Sequence, residues 1–219
     1  MSTPPVQQSG PPITEKDQEK DKGALNSLLE FVLIVVVALG LALGIQAFLV
    51  KPFRIPSGSM EPTLMIGQRV LVDRVTGHFN DVSRGDVIVF HPPAGAEANS
   101  DKCAVPRPND QPCARGTEER ADSNFIKRVV AVGGDRLKVL NNHVYVNGKR
   151  QKDPFAQTEP CTDVCNLPKE ITIPAGHFFM MGDNRGESDD SRDWGPIRKD
   201  WIVGNAFFTY WPPKRIGTL

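Results

Sequence analysis

The chain has 219 residues, a formal net charge of zero at pH 7, and 19 each of glycine and proline. This length allows one or two modest domains, and the frequent glycines and prolines favour turns over long soluble helices. Because phosphate binding requires an excess of basic residues, the balanced charge argues against nucleic acid as a partner. Composition by itself indicates no activity.

The first 23 residues are rich in Pro, Gln and Ser and then become charged. Such a segment has too few apolar side chains to bury a core. We therefore predict a disordered tail over residues 1–23.

An uncharged apolar segment, FVLIVVVALGLALGIQAFLV, covers residues 31–50. Its length matches the ~30 Å hydrocarbon core of a bilayer at the helical rise of about 1.5 Å per residue. We predict a transmembrane anchor over residues 24–50. A cleaved signal peptide is the first alternative, although its apolar region is shorter and begins nearer the N-terminus. A buried helix of a soluble protein is the second.

Three lysines precede the anchor and two basic residues follow it, which points weakly to a cytoplasmic N-terminus. All four cysteines lie after the anchor: Cys103, Cys113, Cys161 and Cys165. An even number in polar, loop-like sequence is typical of disulfides in an oxidising compartment. Zinc binding is the alternative, but the paired C-x-x-C spacing is missing. Sequence proximity favours the pairs Cys103–Cys113 and Cys161–Cys165 among the three possible pairings.

The remaining residues, 51–219, consist of short segments rich in β-branched and aromatic residues between turn residues, which predicts a β domain. The flanking charges and the cysteines together place this domain outside the cytoplasm. In LKVLNNHVYV we predict a hairpin with Asn141 and Asn142 at its tip, because asparagine tolerates the positive φ of tight turns. Residues 92–124 are polar and proline-rich, and we predict a surface insertion between two strands.

The stretch IPSGSMEPTL places Ser57 and Ser59 on either side of Gly58. A simple turn between the anchor and the first strand explains these residue types. The alternative is a nucleophilic serine, which needs a base to remove its proton. Neither serine lies in a G-x-S-x-G or begins an S-x-x-K, which argues against α/β-hydrolases and penicillin-binding proteins.

The segment FIKRVVAV is a predicted strand, so Lys127 and Arg128 point to opposite faces. We expect Phe125, Val129 and Ala131 to share the face of Lys127. If the strand is covered on both sides, the arginine requires a carboxylate, whereas the lysine can lose its proton and act as a base. An edge strand with solvated cations is the alternative.

The segment MGDNRGESDDSRDWGPI, residues 181–197, is dense in Asp, Asn, Ser and Gly. A calcium-binding EF-hand loop is excluded because Arg185 occupies a position that requires an oxygen ligand. The segment is therefore either a solvated acidic loop or a polar network that pairs buried cations. We predict no metal site and no cofactor.

These three segments, in this order behind a membrane anchor, resemble the bacterial type I signal peptidases (leader peptidases). The resemblance extends from about Phe53 to the C-terminus. It implies a mainly antiparallel β fold with one N-terminal transmembrane helix, and a catalytic core of the kind shared with self-cleaving repressor-type proteases.

The resemblance also implies roles for individual residues. Ser59 matches the nucleophile and Lys127 the general base of a Ser-Lys dyad. Ser57 matches the residue whose hydroxyl forms the oxyanion hole together with the Ser59 N–H. Ser188 matches a serine that hydrogen-bonds the lysine. Two supporting ion pairs are implied, Asp190–Arg192 and Arg128–Asp183.

Shallow substrate pockets are expected near Ile55, Pro56 and Met60, because the family cleaves after small residues, commonly Ala-x-Ala. The implied function is removal of signal peptides from exported preproteins at the cytoplasmic (inner) membrane, with the catalytic domain on the outer face and the lipid bilayer as a second partner. One alternative is a single-pass protein with a non-enzymatic extracytoplasmic β binding domain, which would not need Ser59 and Lys127 together. Another is a repressor-type self-cleaving protease, which a membrane anchor disfavours.

Overall fold

The computed structural model of the chain describes residues 15–74, 82–97, 103–160 and 165–219. The chain divides after Gln46 into two compact units. The first unit contains one long helix, and the second contains the β-sheets.

Helix α1 spans Glu15–Phe48, and its window Ser27–Gly44 is long and apolar enough to cross a membrane, with a mean hydropathy of 2.5. The helix begins before the predicted boundary at residue 24. The reason is that residues 15–22 contain glutamates and lysines, which are good helix formers and extend the helix into the charged segment. The predicted disordered tail is thus helical from Glu15, and residues 1–14 lie outside the described residues.

The described part of the second unit contains strands and one short α-helix, α2, at Ser191–Trp194. In chain order the strands are β1 Val50–Arg54, β2 Arg69–Asp73, β3 Val87–Phe90, β4 Phe125–Val132, β5 Arg136–Leu140, β6 His143–Val146, β7 Lys149–Arg150, β8 Leu167–Thr172, β9 His177–Met181, β10 Ile197–Arg198, β11 Ile202–Trp211 and β12 Gly217–Thr218.

The strands form two antiparallel sheets. The larger sheet has the order β1-β2-β11-β3-β4-β9-β10, with β12 paired to β11. The smaller sheet has the order β7-β6-β5-β8. The prediction of a mainly antiparallel β fold behind an N-terminal apolar helix is confirmed.

The predicted hairpin joins β5 and β6 in the smaller sheet, with Leu140 paired to His143. Asn141 and Asn142 form its turn with φ of 48° and 62°. Both angles lie in the left-handed region that tight two-residue hairpins require and that asparagine tolerates.

Three apolar clusters hold these elements together. The first joins the smaller sheet to β4 and β9, through side chains such as Leu137, Ala131 and Phe179. The second packs α2 onto the larger sheet, where the rings of Trp194 and Phe90 lie 5.9 Å apart. The third lies between β2, β3 and the segment after β1, and it fixes that segment on the sheet.

Strand β4 departs from simple alternation near its end. Its register with β9 shifts between Val129 and Ala131, which is a β-bulge. Val129 and Val132 therefore lie in one apolar cluster, while Val130 and Ala131 both lie in another. The predicted face is correct for Phe125 and Val129 and wrong for Ala131, because the extra residue of a bulge reverses the facing of the later residues of the strand.

The described parts of the predicted surface insertion, residues 92–97 and 103–124, are partly buried, and residues of the second part contact α2. A disulfide joins Cys103 and Cys113, the pairing that sequence proximity favours, and Cys113 is fully buried. The Cys113 N–H and Arg107 Nη1 both donate to the carbonyl of Arg192, at 3.0 and 2.8 Å. Cys161 lies outside the described residues, so the pair Cys161–Cys165 stays a prediction.

Candidate active site

Ser59 lies in a short 3₁₀ turn, Gly58–Met60, on the segment that the third apolar cluster holds against the larger sheet. Ile55, Met60 and Leu64 are all buried around it. The Ser59 carbonyl accepts a hydrogen bond from the Asn184 N–H at 3.1 Å. Buried apolar residues before and after the serine thus hold the backbone of the turn in place, and the backbone position in turn fixes where the Ser59 side chain begins.

Lys127 extends from β4 to this serine. Its Nζ donates to the Ser59 Oγ at 2.6 Å, and the lysine side chain is almost entirely buried. Burial lowers the pKa of Lys127 to about 8, although the nearby carboxylates of Asp190 and Asp189 oppose that shift. When the amine is neutral, the same contact lets the serine hydroxyl donate to the nitrogen, which is the geometry that activation of a nucleophile requires.

Arg128, the next residue on β4, forms a buried ion pair with Asp183. Its Nε and Nη2 donate to the two carboxylate oxygens at 2.8 and 2.6 Å. Thr63 Oγ1 donates to the same carboxylate at 2.6 Å, and the guanidinium stacks 3.8 Å from the ring centroid of Phe155. This bidentate pair ties β4 to both the serine segment and the loop after β9.

Asp190 and Arg192 form a second buried pair at the start of α2. Arg192 Nε donates to Asp190 Oδ1 at 2.8 Å and Nη2 to Oδ2 at 3.0 Å, while the Gly182 N–H also donates to Asp190 Oδ2, at 3.1 Å. Burial alone would raise the pKa of Asp190, but the adjacent guanidinium of Arg192 holds it below its ordinary value. Asp190 is therefore a charged carboxylate close to Lys127.

Ser188 differs from what the resemblance implies. It is buried, and among the residues that the structure describes its hydroxyl has no hydrogen-bond partner, so the expected bond to Lys127 is not formed. The reason is geometric. The lysine amine is directed at Ser59, whereas the Ser188 hydroxyl lies against Gly182, where an added Cβ would come within 2.3 Å of it.

Ser57 immediately precedes the 3₁₀ turn in an extended conformation, and its side chain does not cap that turn. Its side chain is exposed, as is Pro56, on the approach to Ser59. Ile55 and Met60 are 2% and 0% exposed, so they belong to the packing beneath Ser59, and the expected substrate pockets near them stay a prediction.

Sequence reasoning missed several residues of the site. Gly182 leaves no room for a side chain, because an added Cβ would meet both the Ser59 carbonyl and the Ser188 hydroxyl at 2.3 Å. Arg185 is almost fully buried and donates to the Gly182 carbonyl at 2.9 Å. The sequence did contain a signal for Arg185: an arginine lies in the middle of a loop rich in glycine and acidic residues. We used this arginine only to exclude calcium binding, but it also indicates a buried cation that pairs with the loop.

No group of three or more His, Cys, Asp or Glu within the described ranges is arranged to hold a metal ion. The site instead consists of a Ser-Lys contact with two arginine–carboxylate pairs around it. Such an arrangement can activate a hydroxyl group without a metal-bound water.

Comparison with known proteins gives a consistent result. Residues 28–211 match the family described as "Signal peptidase, peptidase S26". The chain is 36% identical over 190 residues to "Probable signal peptidase I-1" of Synechocystis sp., covering 87% of this chain and 86% of that protein. It is 33% identical over 218 residues to "Signal peptidase I" of Leptolyngbya laminosa, covering 100% of this chain and 95% of that protein.

A third relative is "Signal peptidase IB" of Staphylococcus aureus, with 33% identity over 84% of this chain and 90% of that protein. A solved structure of a signal peptidase I from Enterococcus faecalis V583 aligns with a TM-score of 0.37 and 19% identity, over 57% of this chain and 97% of that chain. The family match covers most of the chain and agrees with the three motifs. The chain therefore belongs to the signal peptidase family, peptidase S26, and is a serine endopeptidase of the type I signal peptidases.

Proposed function

We propose that this enzyme removes N-terminal signal peptides from exported preproteins through an acyl-enzyme on Ser59, with Lys127 as the general base. The observation that carries the proposal is the 2.6 Å contact between the buried Lys127 Nζ and the Ser59 Oγ. A binding domain would gain nothing from this contact, because burying a lysine beside a hydroxyl costs free energy.

The reaction follows from this geometry. Neutral Lys127 takes the Ser59 hydroxyl proton while Oγ attacks the scissile carbonyl carbon, and a tetrahedral oxyanion forms. The Ser59 N–H and the Ser57 hydroxyl are the proposed donors to that oxyanion. The protonated lysine then gives its proton to the leaving amine, the C–N bond breaks, and the signal peptide remains as an ester on Ser59. A water molecule, deprotonated by Lys127, attacks the ester carbon. The bond to Ser59 Oγ then breaks, the protonated lysine returns its proton to that oxygen, and the signal peptide leaves with a free carboxyl group.

The two ion pairs have complementary functions in this proposal. Arg128–Asp183 joins β4, which carries the base, to Thr63 on the nucleophile segment. Asp190–Arg192 keeps a carboxylate near Lys127 but neutralises it, so that the lysine is not held permanently charged. Ser188 is buried beside the Ser59 carbonyl and close to Gly182, so it contributes to the packing around the nucleophile in this proposal.

The substrate specificity that we propose is cleavage after small residues of the Ala-x-Ala type. Around Ser59 the protein is closely packed: Gly182 has no space for a methyl group, and Ile55 and Met60 are buried, which supports shallow pockets beside the nucleophile. Shallow pockets accept small side chains and exclude large ones.

We propose that α1 crosses the cytoplasmic membrane once, with its N-terminus in the cytoplasm and the catalytic unit on the outer face. The Cys103–Cys113 disulfide supports an oxidising location for that unit. The bilayer itself is the second proposed partner, because the large apolar side chains of Phe207 and Trp211 are 41% and 49% exposed near the end of β11. The zero net charge of the chain argues against nucleic acid as a partner.

The proposed dyad is tested by substitution in the detergent-solubilised full-length protein. Ser59→Ala and Lys127→Arg should each reduce preprotein cleavage by a factor of about 10³ or more, since the members of a nucleophile–base pair act as a unit. Lys127→Arg retains the charge but cannot give up its proton. Lys138→Arg, on the half-exposed face of β5, is the matched control and should cleave normally. Cleavage by Ser59→Ala at the wild-type rate would exclude the proposed mechanism.

The pH dependence follows from the buried lysine. Lys127 has a pKa lowered to about 8 by burial, so the neutral, active form increases as the pH rises through that value. We expect kcat/KM for a peptide substrate to rise about tenfold per pH unit below pH 8 and to level off above it. Measurement of kcat/KM between pH 5 and 10 gives this rise, the acid limb of the pH profile, directly. A constant kcat/KM between pH 6 and 9 would be inconsistent with a lysine base.

Substrate specificity is tested with a peptide series that places leucine at each of the three positions before the scissile bond. Leucine at the first or third position should lower kcat/KM by a factor of roughly 5 to 150, which corresponds to about 1–3 kcal/mol of overpacking. Leucine at the second position serves as the control and should have little effect. Equal values across the series would show that the pockets are not restrictive.

Membrane contact is tested with the second compact unit alone, residues 47–219, and anionic lipid vesicles. Trp194 and Trp201 are buried and Trp211 is half exposed, so a blue shift of tryptophan emission would report on Trp211. Trp211→Ser should abolish the shift and weaken binding roughly 5-fold to 10-fold, because burying a large apolar side chain contributes about 1.5–3 kcal/mol and this one is half covered already. An unchanged spectrum of the unsubstituted protein with vesicles would contradict the prediction.

A further inference from the structure

Asn142 occupies an unusual place for a hairpin-tip residue. Turn residues between two strands are ordinarily exposed, and the neighbouring Asn141 is exposed as expected. Asn142 is fully buried, with a φ of 62°. It belongs to the smaller sheet, whereas Lys127 belongs to the larger one.

Every polar group of Asn142 has a partner. Its side-chain Oδ1 accepts from Arg192 Nη1 at 3.1 Å, and its Nδ2 donates to the Thr158 carbonyl at 2.8 Å. Its backbone carbonyl accepts from Arg185 Nη1 at 2.7 Å, and its N–H donates to the Cys165 carbonyl at 3.0 Å. One turn residue therefore binds two buried arginines of the loop that carries Asp190.

The contact with Asn142 adds to the other hydrogen bonds of the Arg192 guanidinium. Asp190 binds the Nε and Nη2 edge of the Arg192 guanidinium. The same Nη2 also donates to the carbonyls of Arg185 and Ser188, at 2.7 and 3.0 Å. Asn142 binds Nη1, on the other side of the guanidinium. Because the guanidinium is planar and rigid, a contact at Nη1 restrains the orientation of the whole group, including the two nitrogens that bind Asp190.

Arg192 in turn acts on the dyad through two groups. It neutralises Asp190, whose carboxylate lies near Lys127, and it binds the carbonyl of Ser188, whose hydroxyl lies beside the Ser59 carbonyl. A displaced guanidinium would leave Asp190 less neutralised and Ser188 less constrained. The charged groups that act on the Lys127 amine from the surrounding elements are Asp183, Asp189, Asp190 and Arg192.

We propose that Asn142 is a positioning residue for the signal peptidase reaction: from the smaller sheet, it fixes the Arg192 guanidinium so that Asp190 and Ser188 are held correctly around the Ser59–Lys127 pair. This inference rests on the proposed function, because it assumes that Lys127 is the base. Asn142 does not touch the substrate or the reacting atoms. It acts through Arg192.

Two substitutions test the inference in the detergent-solubilised full-length protein. Asn142→Gly removes the side chain but tolerates the positive φ, so the hydrogen bond from Arg192 Nη1 to Asn142 Oδ1 is lost and the turn is kept. Asn142→Asp keeps the shape but adds a carboxylate that competes with Asp190 for Arg192. Asn141→Gly and Asn141→Asp make the same changes one residue earlier on the exposed side of the turn and are the matched controls.

The readout is the pH profile of kcat/KM for a peptide with an Ala-x-Ala cleavage site. In both Asn142 variants the Asp190 charge is less neutralised, so the acid limb should move to higher pH by about one unit. The result is about a tenfold loss at pH 7 that largely disappears near pH 10, with the change in kcat rather than in KM. Both Asn141 variants should keep the wild-type profile.

A merely structural role predicts a different result. Loss of folded protein lowers kcat/KM by the same factor at every pH, and the amount of folded enzyme is checked by circular dichroism. An unshifted limb in the two Asn142 variants, or variants that do not fold, would overturn the inference. Ser59→Ala and Lys127→Arg, measured in parallel, separate this outcome from failure of the proposed function: their loss of activity beside unshifted Asn142 variants refutes the positioning role alone.

Discussion

The burial of one lysine is the constraint on which the rest of the site depends. Moving the ammonium of Lys127 out of water shifts its pKa from 10.5 to about 8, which corresponds to about 3 kcal/mol of differential cost to the charged form. The folded state bears this cost below pH 8, and the cost disappears above the unfolded-state pKa, so folding stability rises with pH across this window. The burial that makes a charged Lys127 unfavourable for folding is therefore what suits this residue to the role of base that we propose.

The arrangement of neighbouring charges follows from that constraint. A free carboxylate beside Lys127 would restore its ordinary pKa by pairing with it. The buried Asp183 and Asp190 instead each bind an arginine through both carboxylate oxygens. Arginine is suited to this task because it stays charged and forms bidentate pairs. The polar network thus stabilises the buried carboxylates without keeping Lys127, the proposed base, permanently protonated.

Local patterns in the sequence predicted much of the secondary structure and of the side-chain facing around the site. The strands, the Asn141–Asn142 turn and the opposite facing of Lys127 and Arg128 all depend on near-neighbour properties, such as side-chain alternation and the tolerance of asparagine for positive φ. The contact of Ser59 with Lys127 came from motif resemblance, because the two residues lie on elements that only the tertiary fold brings together.

The features that the sequence did not indicate depend on packing between distant elements. The bulge after Val129 arises from the pairing of β4 with β9, and no property of FIKRVVAV itself marks it. The docking of Cys113 on Arg192 makes part of a polar, proline-rich segment buried, against its composition. Ser188 was assigned a bond to the lysine by motif position, but its orientation depends on how closely Gly182 approaches.

The position of β11 has a consequence for the order in which the enzyme is assembled. This strand comes near the end of the chain, yet it lies between β2 and β3 in the larger sheet. The side chains of Gln68 and Thr209, 141 residues apart, are hydrogen-bonded across that join. Pairings of such large sequence separation form late and slowly in folding. A chain whose synthesis stops before β11 has no strand to connect the half of the sheet beside Ser59 with the half that carries Lys127. The relative placement of Ser59 and Lys127 in the sheet therefore depends on a strand that is far from both residues in the sequence.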